Sequence, residues 1–554
     1  MSDLTSLAGW LSHRSDEELV ALLALRPDLA VPPAADFGVL ATRVALRASV
    51  ARAADELNAF QLAVLEALVL AGAADVPAVP AELGQLLGSD VPLAGITGAL
   101  VVLQARALVW APGDDETGVQ ITPAVAEVLP RAGQLGRPSA ALIDVDVSAM
   151  LAELDPPRLG LLTTLAKGAP YGRTRDAAPG TPANRPVQQL LAAGLLLPVD
   201  AGTVELPSQV SAVLRGAAPM GTVSHAEPRP TPRKLTTSDV NSAAAGAALE
   251  LLRHSAELIA ALGANPAPVL RSGGLGVREA RKLAKQTGLT ETQVSLVVEL
   301  LAAAGLIASD DTADPAWTPT TAADLWVAAE PATRWAHLAT AWLDLPRLPG
   351  LIGKRDDHDK PLAALSEELR RPLAPRDRRR VLRVLAELPA GAALDAAQLR
   401  EVLGWRHPRW GGRTRTELIE WATAEATIVG VLGRGALSRP GRALLDGQDA
   451  APAMAAVLPP PVDHVLVQAD LTVVAPGPLA GGLEQEIALV ADVESAGAAT
   501  VYRVSPKSVR RALDAGRSAA ELHALFAQRS RTPVPQTLTY LIDDVARRHG
   551  RLRA

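Results

Sequence analysis

The sequence predicts a mainly α fold with small β elements (α+β), built from tandem units and closed by a small α/β domain. Three observations predict it. Apolar helical stretches recur, and two of them end in the closely similar strings Leu190-Leu-Ala-Ala-Gly-Leu195 and Leu301-Ala-Ala-Ala-Gly-Leu306. A short strand pair follows such an ending, and the glycine supplies a left-handed stop between helix and strand. After Pro459-Pro-Pro461, the run His464–Ala475 becomes rich in β-branched residues and reads as a strand.

In chain order, residues 1–57 form an N-terminal helical segment. Leu4–Leu11 and Ser15–Leu25 are amphipathic, and Ser15-Asp-Glu-Glu18 is a capping box ahead of an apolar run. Unit 1 (58–135) predicts helices over Phe60–Leu70, Ala81–Leu87 and Leu93–Gln104. Its strands are Ala107–Ala111 and Val119–Thr122, with a turn at Asp114–Gly118. Unit 2 (140–215) has helices over Arg158–Ala166 and Pro186–Ala193, then Gly194–Val199, the turn Asp200-Ala-Gly202 and Thr203–Leu206. Residues 216–242 are rich in Pro, Ser, Thr, Gly and Ala and read as a linker or a surface-wrapped extended segment. Unit 3 (243–372) places a helix at Val277–Gln286, a turn at Thr287-Gly-Leu289 and a capped helix at Glu291–Ala304. Gly305–Ala308 and Ala316–Thr318 then pair. Unit 4 (373–446) runs Arg378–Leu388, Asp395–Leu403, Thr414–Ala426, then Ile428–Leu432 and Ala436–Ser438. A second linker (447–461) precedes the last domain, 462–554. Three helices followed by a β-hairpin is the winged-helix plan, so units 1 to 4 are expected to be winged-helix-like.

Composition narrows the function. A chain of 554 residues needs roughly three to five cores. There is no cysteine, which excludes disulfides, thiolate zinc sites and cysteine nucleophiles. Met1-Ser-Asp-Leu opens no signal peptide and no apolar run is long enough to span a bilayer. The expectation is a cytoplasmic protein, free of the membrane and able to associate with the nucleoid. Net charge is -6, but unevenly spread. Residues 1–130 carry 16 acids against 6 Arg, whereas 370–415 carry 12 Arg against 4 acids and 505–554 carry 10 Arg plus Lys against 4 acids. One end could meet phosphates while the other meets a protein, or the two surfaces could meet each other; charge alone leaves both open.

Candidate nucleic-acid contacts follow from the basic stretches. Arg278, Arg281, Lys282 and Lys285 share a face of the second helix of unit 3, open to phosphates. The next helix offers only Thr292, Gln293 and Ser295 to base edges, so packing is the favoured reading of that unit over base readout. In unit 4, Arg376, Arg378, Arg379 and Arg380 begin the first helix. The segment Arg406-His-Pro-Arg-Trp-Gly-Gly-Arg-Thr-Arg415 adds Arg406, Arg409, Arg413 and Arg415, with Trp405 and Trp410 as stacking faces. In the last domain, Lys507, Arg510 and Arg511 share one helix face.

A motor is not legible. Gly350-Leu-Ile-Gly-Lys-Arg355 has the wrong glycine spacing for a phosphate loop and Arg where a Mg²⁺-binding hydroxyl is needed. No DExH box follows a strand. His358 among Asp356, Asp357 and Asp359 reads as a solvated loop in preference to a metal site. No catalytic residue and no cofactor is expected.

The order "QADLTVVAPGPL" (468–479), "VYRVS" (501–505), "PVPQ" (533–536) resembles the N-terminal, damage-recognition-like domain of XPB-type DNA helicases. It is also similar to actinobacterial proteins that carry this domain as a helicase C-terminal-domain-like module. The opening "WLSHRSDEELVALLALRPDLAVPP" resembles the start of that same family. The resemblance implies an accessory domain without its ATPase, and a domain continuing past Arg551-Leu-Arg-Ala554. It points to a non-catalytic DNA-binding accessory factor in repair or helicase-linked processing. The acidic N-terminal third would then face a repair helicase or nuclease. The rivals are a protein-interaction scaffold, a regulator reading DNA through unit 3, and a degenerate ATPase using Lys354.

Overall fold

A computed structural model of the chain describes residues 6–551 apart from 89, 114–117, 130–135, 137–138, 143–144, 168–169, 216–222, 272, 311 and 497–498. The chain is mainly helical with small antiparallel sheets. It divides into two compact units: Met1–Arg229 with Glu401–Arg415, and Pro230–Arg400 with Thr416–Ala554.

In the first unit, four helices (Leu7–Ser12, Asp16–Leu25, Phe37–Val44 and Arg47–Ala54) enclose Trp10, Leu11, Leu22, Leu29 and Val44. The Ser15/Glu18 capping box forms. Helix Ala59–Leu70 opens on a second box, Asn58 with Gln61, and is buried almost all round through Leu62, Leu65 and Leu68. Helices Pro80–Leu87 and Leu93–Ala105 follow, then the hairpin Val109–Trp110 with Gln120–Ile121. The expected turn at 114–117 lies outside the described residues. Helix Pro156–Lys167, strand Tyr171–Arg173, helix Pro186–Ala192 and the hairpin Leu197–Asp200 with Thr203–Glu205 repeat the theme.

The second unit begins with the extended pair Arg233–Lys234 and the 28-residue helix Thr237–Ala264. The stretch expected as a linker to residue 242 is therefore already helical from Thr237, which Thr236 caps by accepting the Asp239 amide. Helices Val277–Thr287 and Glu291–Ala303 lead to the hairpin Ile307–Ser309 with Ala316–Pro319. Helices Thr321–Ala328 and Pro331–Asp344 come next. Then helices Ala374–Ala386, Ala396–Arg406 and Arg415–Val429, of which residues 401–415 belong to the first unit, lead to the hairpin Leu432–Gly433 with Ala436–Leu437. The expected second linker contains helix Ala451–Ala455.

Each hairpin gains a strand that sequence patterning missed. Ala78 bridges Val119, Tyr171–Arg173 pairs Thr203–Glu205, Ala267–Pro268 pairs Ala316–Pro319, and Ala392–Ala393 pairs Ala436–Leu437. In every case the added strand lies between the first and second helices of its motif and joins the hairpin's later strand. One to three residues are too few to show a period-2 pattern.

The last domain is a four-stranded antiparallel sheet, in the order Leu466–Val467, Thr472–Ala475, Thr500–Arg503, Asp492–Ala496. Helices Gly481–Val490, Pro506–Asp514, Ala519–Arg529 and Gln536–Arg551 cover it around Val473, Ile487, Val509, Phe526 and Ile542. The run His464–Ala475 is two strands and not one. Asp470 accepts the Thr472 amide (3.1 Å) and hydroxyl (2.6 Å), and Leu471 takes φ +70°, so the chain reverses there in an Asx-type turn. Among the described residues no helix is long and apolar enough to cross a membrane.

Candidate nucleic-acid interface

The Arg-rich segment of residues 406–415 folds onto its own unit. Arg406 pairs with Glu227 at 2.6 Å, and Trp405 donates to the Ser224 carbonyl at 3.0 Å. Arg409 pairs with Asp55 at 2.8 Å and donates to the Val128 carbonyl. Gly411 at φ +71° reverses the chain with its Cα pressed on Arg415; a Cβ there would lie 2.9 Å from the Arg415 Cα. The Arg415 guanidinium then donates back to the carbonyls of His407, Pro408 and Trp410. Burial holds its pKa below the usual arginine value. Trp410 is 5 % exposed, so it is a packing residue and offers no face to a base. Of this segment, Arg413 is left exposed without an ion pair among the described residues.

Most of the arginines at the start of helix Ala374–Ala386 are likewise engaged within the fold. Arg378 is buried. It pairs with Glu425 at 3.2 Å and donates to the carbonyls of Leu345 (2.6 Å) and Arg347 (2.7 Å). Trp342 Nε1 donates to the same Glu425 carboxylate at 2.9 Å. Burial raises the Glu425 pKa, against the pull of Arg378, and lowers that of Arg378. Arg379 pairs with Asp344 and Arg380 is buried beside Asp377. Arg376 is half-exposed, 3.5 Å from Asp377. Position on a basic helix did not make these side chains available: the helix faces that carry Arg378 and Arg380 are the packed ones.

The remaining candidates stay at the surface. On helix Val277–Thr287, Arg278 and Lys285 are exposed without ion pairs among the described residues, Lys282 lies 3.6 Å from Glu279, and Arg281 pairs with Glu291 at 3.1 Å. On helix Pro506–Asp514, Lys507 and Arg510 are likewise exposed and unpaired. Arg511 turns inward, pairing with Asp492 at 2.6 Å and donating to the carbonyls of Ala488, Leu489 and Ala491.

A charged seam that the sequence did not signal lies in the second unit. Arg253 donates to His254 at 2.7 Å and pairs with Glu257 at 2.7 Å. Burial, aided by Arg253, lowers the His254 pKa to about 4. Burial raises Glu484, which Arg334 opposes, and pushes Tyr502 up to about 12. The seam's cations are spaced along separate helices, so no run of sequence exposes it. Among the described residues no group of three or more His, Asp or Glu is placed to hold a metal ion.

Residues 465–554 match a protein family described as the helicase conserved C-terminal domain. The match covers the four-stranded domain and its helices, including Lys507, Arg510 and Arg511. No curated protein matches the chain. The C-terminal domain is thus helicase C-terminal-like, which links the chain to a helicase-related, nucleic-acid-associated role.

Proposed function

We propose that the chain is a non-catalytic DNA-binding protein, an accessory factor in DNA repair or helicase-linked DNA processing that acts in the cytoplasm at the nucleoid. The observation that carries this reading is the helicase C-terminal-like domain with Lys507 and Arg510 exposed and unpaired on one helix face. Cations that spend no charge inside the fold remain free to displace counterions from phosphates. Arg278 and Lys285 of the same unit would add to that grip, exposed Arg413 of the first unit would be a separate contact, and Arg378 and Trp410 would take no part. Four motifs share one element order, in which a short strand before the second helix joins the later strand of a terminal hairpin. We read these as winged-helix units and the last domain as the XPB-like damage-recognition module. No cofactor is required, and an ATPase would be supplied by a partner.

The protein partner would be a repair helicase or nuclease meeting the acidic N-terminal third. That region exposes Val20 (67 %), Val31 (79 %) and Leu46 (54 %) beside its acids, a mixture suited to a protein surface. Fluorescence anisotropy with matched single-stranded, duplex and forked DNA at two salt concentrations tests the reading. Salt-sensitive binding lost on Lys507→Glu with Arg510→Glu is expected. Absence of binding to all three at low salt overturns it in favour of a protein scaffold.

A further inference from the structure

The four hairpins differ in the charge of their turns. The first connection carries Asp114-Asp-Glu116 in its sequence, the second Asp200, and the third Asp310, Asp311 and Asp314. The fourth is a two-residue turn, Arg434-Gly435, joining Leu432–Gly433 to Ala436–Leu437. Both central residues have positive φ, +53° for Arg434 and +85° for Gly435. Such turns favour Asn-Gly because a larger side chain is strained at the first position. Arg434 accepts that strain while its side chain points to solvent with no ion pair among the described residues. A local strain without a return inside the fold motivates a functional reading.

The surroundings of the tip are basic as well. The edge strand Arg233–Lys234 continues this sheet, pairing with Ala392–Ala393. Arg233 donates to the Arg434 carbonyl, which places its guanidinium at the turn. Arg233 and Lys234 are exposed, as is Arg439, two residues beyond the later strand. None of these cations has an ion pair among the described residues. The neighbouring acids are Asp395, which accepts the Gln398 amide at 2.8 Å and so caps its own helix, and Asp239, exposed in the first turn of helix Thr237–Ala264.

We propose that the hairpin Leu432–Leu437, with Arg233, Lys234 and Arg439 beside it, is a second phosphate-binding surface that sets the Arg434 tip into a groove of duplex DNA. The inference rests on the DNA-binding reading and adds a surface outside the helicase-like domain. A tip with one side chain, Gly435 having none, is narrow enough to enter a groove between two phosphate rows. The flanking cations then meet the rows on either side. A flexible single strand offers no paired rows, so duplex is the expected ligand.

The test compares wild type with the triple variant Lys234→Gln, Arg434→Gly, Arg439→Gln on duplex DNA across a salt series. Glycine suits φ +53° better than arginine, so the melting temperature should hold. The expected result is at least roughly tenfold weaker duplex binding at low salt. The slope of log affinity against log salt should fall by about 2 to 3, near 0.9 per lost phosphate contact. If wild type binds and the triple variant keeps both affinity and slope while Lys507→Gln with Arg510→Gln loses them, this inference fails and the DNA-binding reading stands. If the triple variant instead keeps DNA binding but loses binding to polyglutamate, the hairpin serves an acidic protein and the inference is overturned. If wild type binds no DNA at low salt, the underlying reading fails with it.

Discussion

Replacing Arg378 by methionine separates a role in the fold from a role at DNA. The guanidinium is 2 % exposed, sits 3.2 Å from Glu425 and satisfies the carbonyls of Leu345 and Arg347. Without it Glu425 keeps the Trp342 donor but becomes a buried carboxylate whose other oxygen already lacks a hydrogen bond. Breaking one side of a buried pair costs about 3–5 kcal/mol. In a unit of this size that lowers the melting temperature by roughly 5–8 °C. The deficit should depend on pH. Burial raises the Glu425 pKa above its usual 4.5, and losing Arg378 raises it further. The folded variant then binds a proton more readily than the unfolded chain, so its stability falls as pH rises through the raised pKa. Relative to wild type the deficit should therefore be smallest below pH 4.5, where the carboxyl is neutral in both states. Arg378→Met with Glu425→Leu should recover most of the loss, because an apolar pair of similar volume fills the site. Calorimetry of the three variants, with anisotropy at a temperature where all are folded, checks this. A melting temperature within about 1 °C of wild type together with weakened DNA binding would refute the reasoning and return Arg378 to the interface.

Further outcomes follow from other sites. Lys507→Glu with Arg510→Glu should leave the melting temperature within ~2 °C and weaken DNA binding, because neither side chain is tied to the fold. Gly433→Ala would place its Cβ 1.9 Å from the Val240 carbonyl oxygen, so it should destabilise by about 2 kcal/mol or more, read by thermal melts. His254 has its pKa lowered to about 4, so the folded state holds it neutral. Its contribution is present above pH 6.5 and is lost as pH falls toward 4. His254→Gln should flatten the acid limb of stability in that window by at most about 3 kcal/mol, measured by denaturant titration at several pH values.

How much of this was legible in the sequence differs by residue. The Ser15/Glu18 box was readable because both partners lie within one turn of each other, and so were most helices and the later strands of the hairpins. Ala78 and Ala392–Ala393 were not, since a strand of one or two residues is defined by its distant partner. Asp470 could have been read as a turn former, yet the β-branched residues on both sides outweighed it. The basic stretches were visible as segments but could not be sorted into surface and interior. Arg278 and Arg378 look alike in sequence; only the position of Glu425, far along the chain, buries the second. Lys507 and Arg510 were separable from Arg511 only once the carbonyls of the preceding helix were in place.

A physical regularity explains why arginine clusters mislead in this chain. Helix C-termini leave carbonyls without intrahelical donors, and arginine forks from elsewhere meet them here. Arg26 donates to the Val44 and Arg106 carbonyls, Arg378 to Leu345, Arg442 to Ala386 and Leu388, and Arg511 to Ala488, Leu489 and Ala491. Each acceptor stands at or just beyond the end of a helix, where a cation also complements the helix dipole. The planar fork with several fixed donors suits this task, and an ammonium on a flexible stem does not. Arg511→Lys should therefore destabilise by about 1–2 kcal/mol although charge is conserved, while Lys507→Arg should change neither stability nor DNA affinity appreciably. Thermal melts and anisotropy on the two variants decide the matter. Equal melting temperatures for Arg511→Lys and wild type would mean that charge alone matters at this helix end, and the division between arginines that cap helices and cations free for phosphate would lose its basis.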